Sequence, residues 1–315
     1  VGSEMCIRDR LQHGLLQPSY IPSKDQRELR ELVQYRKSLV GERTRELNRL
    51  QKMLEGANIK LSGTVTNING KSARKILEYI LSGNEIDEKK YDEMYEEKLI
   101  AHNLKASKEQ ILDDLKGFMS PLQRRMLKEL LQHLDELNVH IENLNDEIDN
   151  FMKPEEKQAS QVIQDVTGIG NTSAQTIIAV IGTDMERFPS DRHISSWAGL
   201  CPGDNVSAKK RKSGKIRKGN ALLKSTLVLC AHAAVRHKSS YFHAQFKRIS
   251  THRGKKRAYV AVAHSILIAI YHILKDGVKY QDLGAEYYNQ FNAERKIHAL
   301  SLIHISEPTR LRCIS

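Results

Sequence analysis

Apolar positions recur with helical spacing over most of the chain. From 25 to about 55, Leu29, Leu32, Val33, Leu39, Val40, Leu47, Leu50 and Leu54 fall on roughly one face, which predicts an amphipathic helix. Ser23 is placed to cap it, and Gly56 permits a stop. Residues 62–70 are polar and rich in Gly and Asn, hence a loop, and short helices are expected at 71–81, 88–103 and 108–118. Pro121 opens the clearest long helix. Leu127, Leu130, Leu134, Leu137, Ile141, Leu144, Ile148 and Phe151 alternate three and four residues apart, an a/d seam sustained over several heptads. Glu136, Glu142 and Glu147 keep its flanks solvated. That spacing fits a helix pair within one chain and a dimerising coiled coil equally well. Lys153-Pro154 ends this arm.

Beyond the arm, a short helix at 158–165 leads into Val166-Thr167-Gly168-Ile169-Gly170-Asn171-Thr172. Gly168 and Gly170 make a tight turn, and Asn171 or Thr172 is expected to cap the next helix, 173–181. This has the form of a helix-hairpin-helix, whose helix N-terminus offers backbone N–H groups to one DNA phosphate. A nucleotide-binding glycine loop would need a third glycine and a preceding strand, both lacking here. An ordinary Gly-containing turn is the plain alternative. Two further helices, 220–237 and 256–274, carry core-like apolar residues. The pattern as a whole predicts a mainly α fold.

Between these helices lies the most informative stretch, residues 196–220. It holds Ser207 and Ser213 among Lys209, Lys210, Arg211, Lys212, Lys215, Arg217 and Lys218. Lys and Arg supply sequence-independent attraction to a phosphate backbone. Gly203, Gly214 and Gly219 let the main chain approach closely and adopt positive φ. A serine hydroxyl is a poor nucleophile unless a base or cations assist it. Local chemistry therefore favours phosphate binding for Ser207, with Lys209, Lys210 and Arg211 able to stabilise a phosphoryl transition state and Ser213 as the other candidate. A second basic run, Arg253-Gly254-Lys255-Lys256-Arg257, stands where positive charge opposes a helix dipole, a cost that suggests a phosphate partner.

Composition narrows the partners. The 315 residues carry a formal charge of +12. One nucleotide string encodes residues 1–9 and its reverse complement encodes 300–308, so 1–10 and 300–315 are expected to be translated sequencing adapter. Removing their four arginines and three acids leaves +11, so the basic character belongs to the segment 11–299. Such a chain suggests nucleic acid more than a membrane, and no apolar run reads as long enough to span a bilayer. Only Cys201 and Cys230 lie within that segment, which excludes a disulfide framework and fits a reducing cytoplasm. His232, His237, His243, His252, His264 and His272 show no zinc-motif spacing and read as surface or core histidines. Trp197 is expected to be a packing anchor, and Tyr287 and Tyr288 to close the core.

The ordered motifs resemble a known family. Thr167-Gly168-Ile169-Gly170, then Trp197-Ala198-Gly199-Leu200-Cys201-Pro202-Gly203, Asn205-Val206-Ser207-Ala208, Lys212-Ser213-Gly214-Lys215 and Arg217-Lys218-Gly219-Asn220 are similar to the insertion-sequence-110 family of transposases. Arg253-Gly254-Lys255-Lys256-Arg257-Ala258, Val262-Ala263-His264-Ser265-Ile266-Leu267 and, upstream, Gly14-Leu15-Leu16, Pro18-Ser19 and Arg27-Glu28-Leu29-Arg30 extend the likeness over 11–299. The resemblance implies an RNase H-like domain with four metal-binding carboxylates, a coiled-coil arm, and a helical transposase domain with a nucleophilic serine. It implies a DNA recombinase guided by a structured RNA, forming a phosphoserine link with the help of Mg²⁺, in a homo-oligomer joined through the coiled coil. Carried over, Ser207 is the nucleophile, with Ser213 in reserve because Lys209 stands where members often have glycine. The implied domains are 11–24 as a remnant of the RNase H-like domain, 25–155 as the arm and 156–299 as the transposase domain. The metal carboxylates are expected upstream of Leu11, no metal ligand is expected in this chain (Asp9 included), and the chain alone is expected not to recombine DNA. The alternative is a non-catalytic helix-hairpin-helix module of a repair or junction-binding protein.

Overall fold

The computed structural model describes residues 12, 21–65, 67–83, 87–97, 107–202, 205–207, 210–213, 216–287 and 290, with backbone alone at 64, 205–207 and 210–213. Among them the chain is mainly α, as expected, with one two-stranded sheet. The chain divides into a unit of residues 34–150 and a unit of residues 1–33 with 151–315.

Helix α1 runs Lys24–Gly56 and begins where Ser23 Oγ accepts from the Gln26 N–H at 3.3 Å. Short helices follow: α2 (Leu61–Thr64), α3 (Lys71–Leu81), α4 (Glu88–Glu96) and α5 (Lys108–Asp114), then the long α6, Pro121–Phe151. The expected helix at 88–103 therefore stops at 96, with 98–106 outside the described residues, and the one at 108–118 stops at 114. Within the 34–150 unit, α1 and α6 run antiparallel. Arg36 Nη1 donates to Asn145 Oδ1 at 3.1 Å and Arg43 Nη1 to Asn138 Oδ1 at 3.2 Å, a register in which the two numbers climb in opposite directions. Leu127, Leu134, Leu137, Ile141, Leu144 and Ile148 are buried. Leu131 takes the buried place expected of Leu130, and Phe151 is exposed. The shift has a local cause: near that turn the core is widened by Ile76, Leu77, Tyr91, Met94 and Ile111 from the short helices, so α6 presents a broader face than an a/d seam. The seam is covered inside the chain, which fits the intrachain helix pair.

The other unit is built on α7 (Pro154–Ile163), α8 (Asn171–Ile181), α9 (Asp191–Trp197), strands β1 (Asn205–Ser207) and β2 (Lys210–Ser213), and α10 (Ala221–Ala234), α11 (Tyr241–Arg253) and α12 (Lys255–Asp276). Helix α12 is the hub, packing on α10, α11 and α9. It has the length and apolarity to cross a bilayer, contrary to the expectation that no run does. Its apolar residues are taken up by the bundle: Val262, Ala263, Ile266, Leu267, Ile270 and Tyr271 are all buried. Helix α8 is buried on every side from Ala174 to Ile181. Its C-terminal carbonyls are satisfied by the start of α1, where Arg30 donates to the oxygens of Ala179 (3.0 Å) and Val180 (2.5 Å), a cation at the negative end of a helix dipole. Asp282 ties the turn before α8 to α11. Its carboxylate accepts from Thr167 Oγ1 at 3.3 Å and from the Tyr241 N–H at 3.0 Å.

Candidate nucleic-acid interface

The turn between α7 and α8 depends on Gly168. Its φ is +94°, and a Cβ there would lie 2.5 Å from the Cys230 carbonyl oxygen and 2.6 Å from the Ala234 nitrogen. Glycine lets the turn sit directly on the α10 backbone, so Gly168 is required by packing. Helix α8 starts two residues earlier than expected. Gly170 is the N-cap residue in extended conformation, no side chain caps the helix, and Asn171 and Thr172 lie in its first turn instead of capping it. A Cβ on Gly170 would meet nothing within 4 Å. Gly170, Asn171 and Thr172 are exposed, so the first-turn N–H groups, which have no intrahelical acceptor, face an open approach.

The basic stretch folds as a β-hairpin rather than a loop. Strand β1 pairs antiparallel with β2, with Asn205 opposite Ser213, Val206 opposite Arg211 and Ser207 opposite Lys210. The register skips Lys212, a bulge that strengthens the local twist. Ser207 therefore stands at the last pair before the turn, and Ser213 at the far end of the ribbon. Lys209 and Lys215, with Gly203 and Gly214, lie outside the described residues. The ribbon continues through a bridge between Pro202 and Ile216 and a hydrogen bond from the Arg217 N–H to the Cys201 oxygen at 3.3 Å. At its base two glycines cross. A Cβ on Gly219 would lie 2.5 Å from the Ala198 carbonyl, and one on Gly199, whose φ is +70°, would lie 2.8 Å from the Arg217 oxygen. Gly219 thus makes the expected close approach, and Gly199 has a positive φ. Asn220 then caps α10, its Oδ1 accepting from the Leu223 N–H at 3.0 Å.

Arg217, Lys218, Arg253, Lys255, Lys256 and Arg257 are exposed. Gly254 is the joint between α11 and α12, so Arg253 closes one helix and Lys255 opens the next. Helix α11 itself was not expected. It borders a groove of about 630 Å³ lined by Lys238, His243, Lys247, Arg248, Thr251 and His252. In it, His243 Nδ1 donates to the Val235 oxygen at 2.7 Å, which turns its other nitrogen away from that carbonyl. The signal that points to these residues is an absence of acids: from 205 to 257 the chain has sixteen Lys and Arg and no Asp or Glu. Among the described residues, none of Lys238, Lys247, Arg248, Arg253, Lys255, Lys256 and Arg257 has a carboxylate partner.

Trp197 packs at the surface rather than within the core. It is 38% exposed and rests against Phe188, centroids 5.4 Å apart, with the Arg187 guanidinium over both rings. Tyr287 is likewise exposed, and Tyr288 lies outside the described residues. Burial pushes the thiols of Cys201 and Cys230 up, so neither is an activated nucleophile. Among the described residues no three His, Cys, Asp or Glu side chains stand together as a metal site.

Two family models match the chain. Residues 160–247 match the transposase IS116/IS110/IS902 family, and residues 7–59 match a second model, a transposase of the IS110 DEDD type. No curated protein matches. An exposed basic surface on a helical bundle is the kind of surface with which proteins attract a phosphate backbone. Both matched segments are those of IS110-type transposases, which supports reading the chain as a transposase and implies DNA as its partner.

Proposed function

We propose that the hairpin is the reacting element of this transposase and that Ser207 is its nucleophile. The observation that supports this most is the ribbon pinned at Gly199 and Gly219, which sets Ser207 opposite Lys210 beside the turn. In the reaction, Ser207 Oγ bonds to a DNA phosphorus as one P–O ester bond breaks. The serine proton passes to solvent, and the departing strand end leaves as a hydroxyl. The energy of the broken ester is kept in the phosphoserine link and is available to rejoin strands. Cations of the hairpin offset the negative charge that grows on the phosphoryl oxygens. Gly170, Asn171 and Thr172 at the start of α8, the Arg253–Arg257 run and the α11 groove hold the flanking backbone in place, as phosphate contacts do in general. In this reading the α7–turn–α8 segment serves as a helix-hairpin-helix.

A structured guide RNA is the second nucleic acid in this reading, and the protein works as an oligomer. Because the α6 seam is buried within the chain, the subunits meet through another surface. Ser207→Ala and Ser213→Ala, made in a protein completed with the carboxylate-bearing domain that the resemblance implies and assayed for strand cleavage and for DNA binding, test the assignment. Loss of cleavage with retained binding in Ser207→Ala alone supports it. The same result in Ser213→Ala alone moves the nucleophile there, cleavage intact in both removes these serines from the chemistry, and a wild type that binds DNA without cleaving it favours a non-catalytic binding module.

A further inference from the structure

Three rings from three helices form a column on the unit that carries the hairpin. His232 of α10 stacks on Tyr259 of α12 with centroids 3.5 Å apart and planes 23° apart, and Phe246 of α11 lies against Tyr259 at 4.5 Å. Tyr259 and Phe246 are half-buried, and His232, the outer ring, is exposed. A ring recruited only for packing gains from being covered. Here the two rings beneath are half-covered and the outer one is exposed. Cations surround it at helical spacing: Lys255 and Lys256 precede Tyr259 by four and three residues, and Arg236 follows His232 by four, which puts each one turn away on its own helix. All three are exposed, and no acidic residue lies anywhere from 205 to 257.

Resting on the reading of this unit as a DNA-binding surface, we infer that the His232–Tyr259–Phe246 column is a stacking shelf for an unpaired nucleobase of single-stranded DNA, with Arg236, Lys255 and Lys256 holding the adjoining phosphates. A flat ring with an open π face beside cations is how proteins bind single strands without reading sequence. A base within a duplex is already stacked on both sides and gains nothing from the shelf, so the column distinguishes single from double strands.

The test uses the full chain with an oligonucleotide carrying 2-aminopurine, free and annealed to its complement. The wild type quenches the probe's emission in the single strand. His232→Ala weakens single-strand binding about 5–10-fold, the lower part of the range for removing one stacking partner, abolishes the quenching and leaves duplex affinity within about twofold. His232→Phe keeps both affinity and quenching, which a role for imidazole charge would not allow. Lys255→Gln with Lys256→Gln lowers single-strand and duplex binding alike. Unchanged quenching in His232→Ala overturns the shelf, as does an equal loss on single strand and duplex. Absence of any salt-dependent binding, duplex included, instead overturns the reading of the unit as a DNA surface.

Discussion

In residues 34–150 the cations meet carboxylates. Arg74 pairs with Asp135 at 2.6 Å, Lys108 with Asp92 at 2.8 Å and Glu88 at 3.4 Å, Lys75 with Glu78 at 2.9 Å, and Arg49 with the buried Glu46. In residues 205–257 there is no acid to meet, and the cations around α11 and the start of α12 stand without carboxylate partners among the described residues. Exposed ion pairs stabilise a fold little, so the pairing in the first region is mainly neutralisation. The lack of it in the second leaves these cations without an acid in their own stretch, and like charges so close repel one another. A polyanion relieves that repulsion. On the proposed reading the two regions divide the work: one commits its side chains to its own helices, the other keeps them for a phosphate backbone.

Substitutions sharpen this contrast, beginning with the hairpin. Gly219→Ala sets a methyl group within 2.5 Å of the Ala198 backbone and displaces the ribbon, so in a protein completed with the carboxylate-bearing domain strand cleavage falls at least 100-fold while helical content by circular dichroism stays near wild type, a ~1 Å misplacement being enough for such a loss. Cleavage close to wild type would remove the hairpin from the chemistry. In the arm, Leu134→Ala empties a fully buried site and costs about 2–5 kcal/mol in urea unfolding, with DNA affinity per folded molecule unchanged. A matching loss of affinity would break the division. Asn145→Ala takes a partner from the buried Arg36, whose guanidinium burial pulls down to a pKa of about 10, and costs about 1–3 kcal/mol in the same measurement.

The smallest effect concerns pH. Burial, partly opposed by attraction to Asp191, holds the His264 imidazole below its ordinary value of 6.5. The unfolded chain then takes up the proton more readily than the folded one. Stability from this site is complete above pH 6.5 and is lost as pH falls through the lower folded value. The thermal midpoint should drop on acidification over that window, and His264→Gln should flatten the drop. A midpoint that rises on acidification would show the sign to be wrong.

The long helices were legible because each carries its own punctuation. Ser23 and Gly56 bound α1, Pro121 opens α6, and both keep an apolar face that no partner is needed to define. Helix α11 was not legible: Lys247, Arg248 and Arg253 interrupt its apolar face, and its clearest mark is local, Ser240 Oγ accepting from the His243 N–H at 3.2 Å. The hairpin escaped for a different reason. A ribbon of Asn, Ser, Lys and Arg has no apolar alternation, since it is held by backbone pairing and by the Gly199–Gly219 crossing, which joins residues twenty apart in sequence. The cap of α8 was misplaced because glycine caps through its conformation rather than a side chain. Cations could be counted in the sequence, but whether carboxylates answered them depended on the fold.

The division of labour is tested most directly by the salt dependence of duplex DNA binding. Replacing Lys247, Arg248, Lys255 and Lys256 together by glutamine should flatten the slope of log K against log salt by about 0.9 for each phosphate that is no longer neutralised, while replacing Arg74 and Lys108 should leave it unchanged. An unaltered slope in the first variant, or an equal change in the second, would contradict the account.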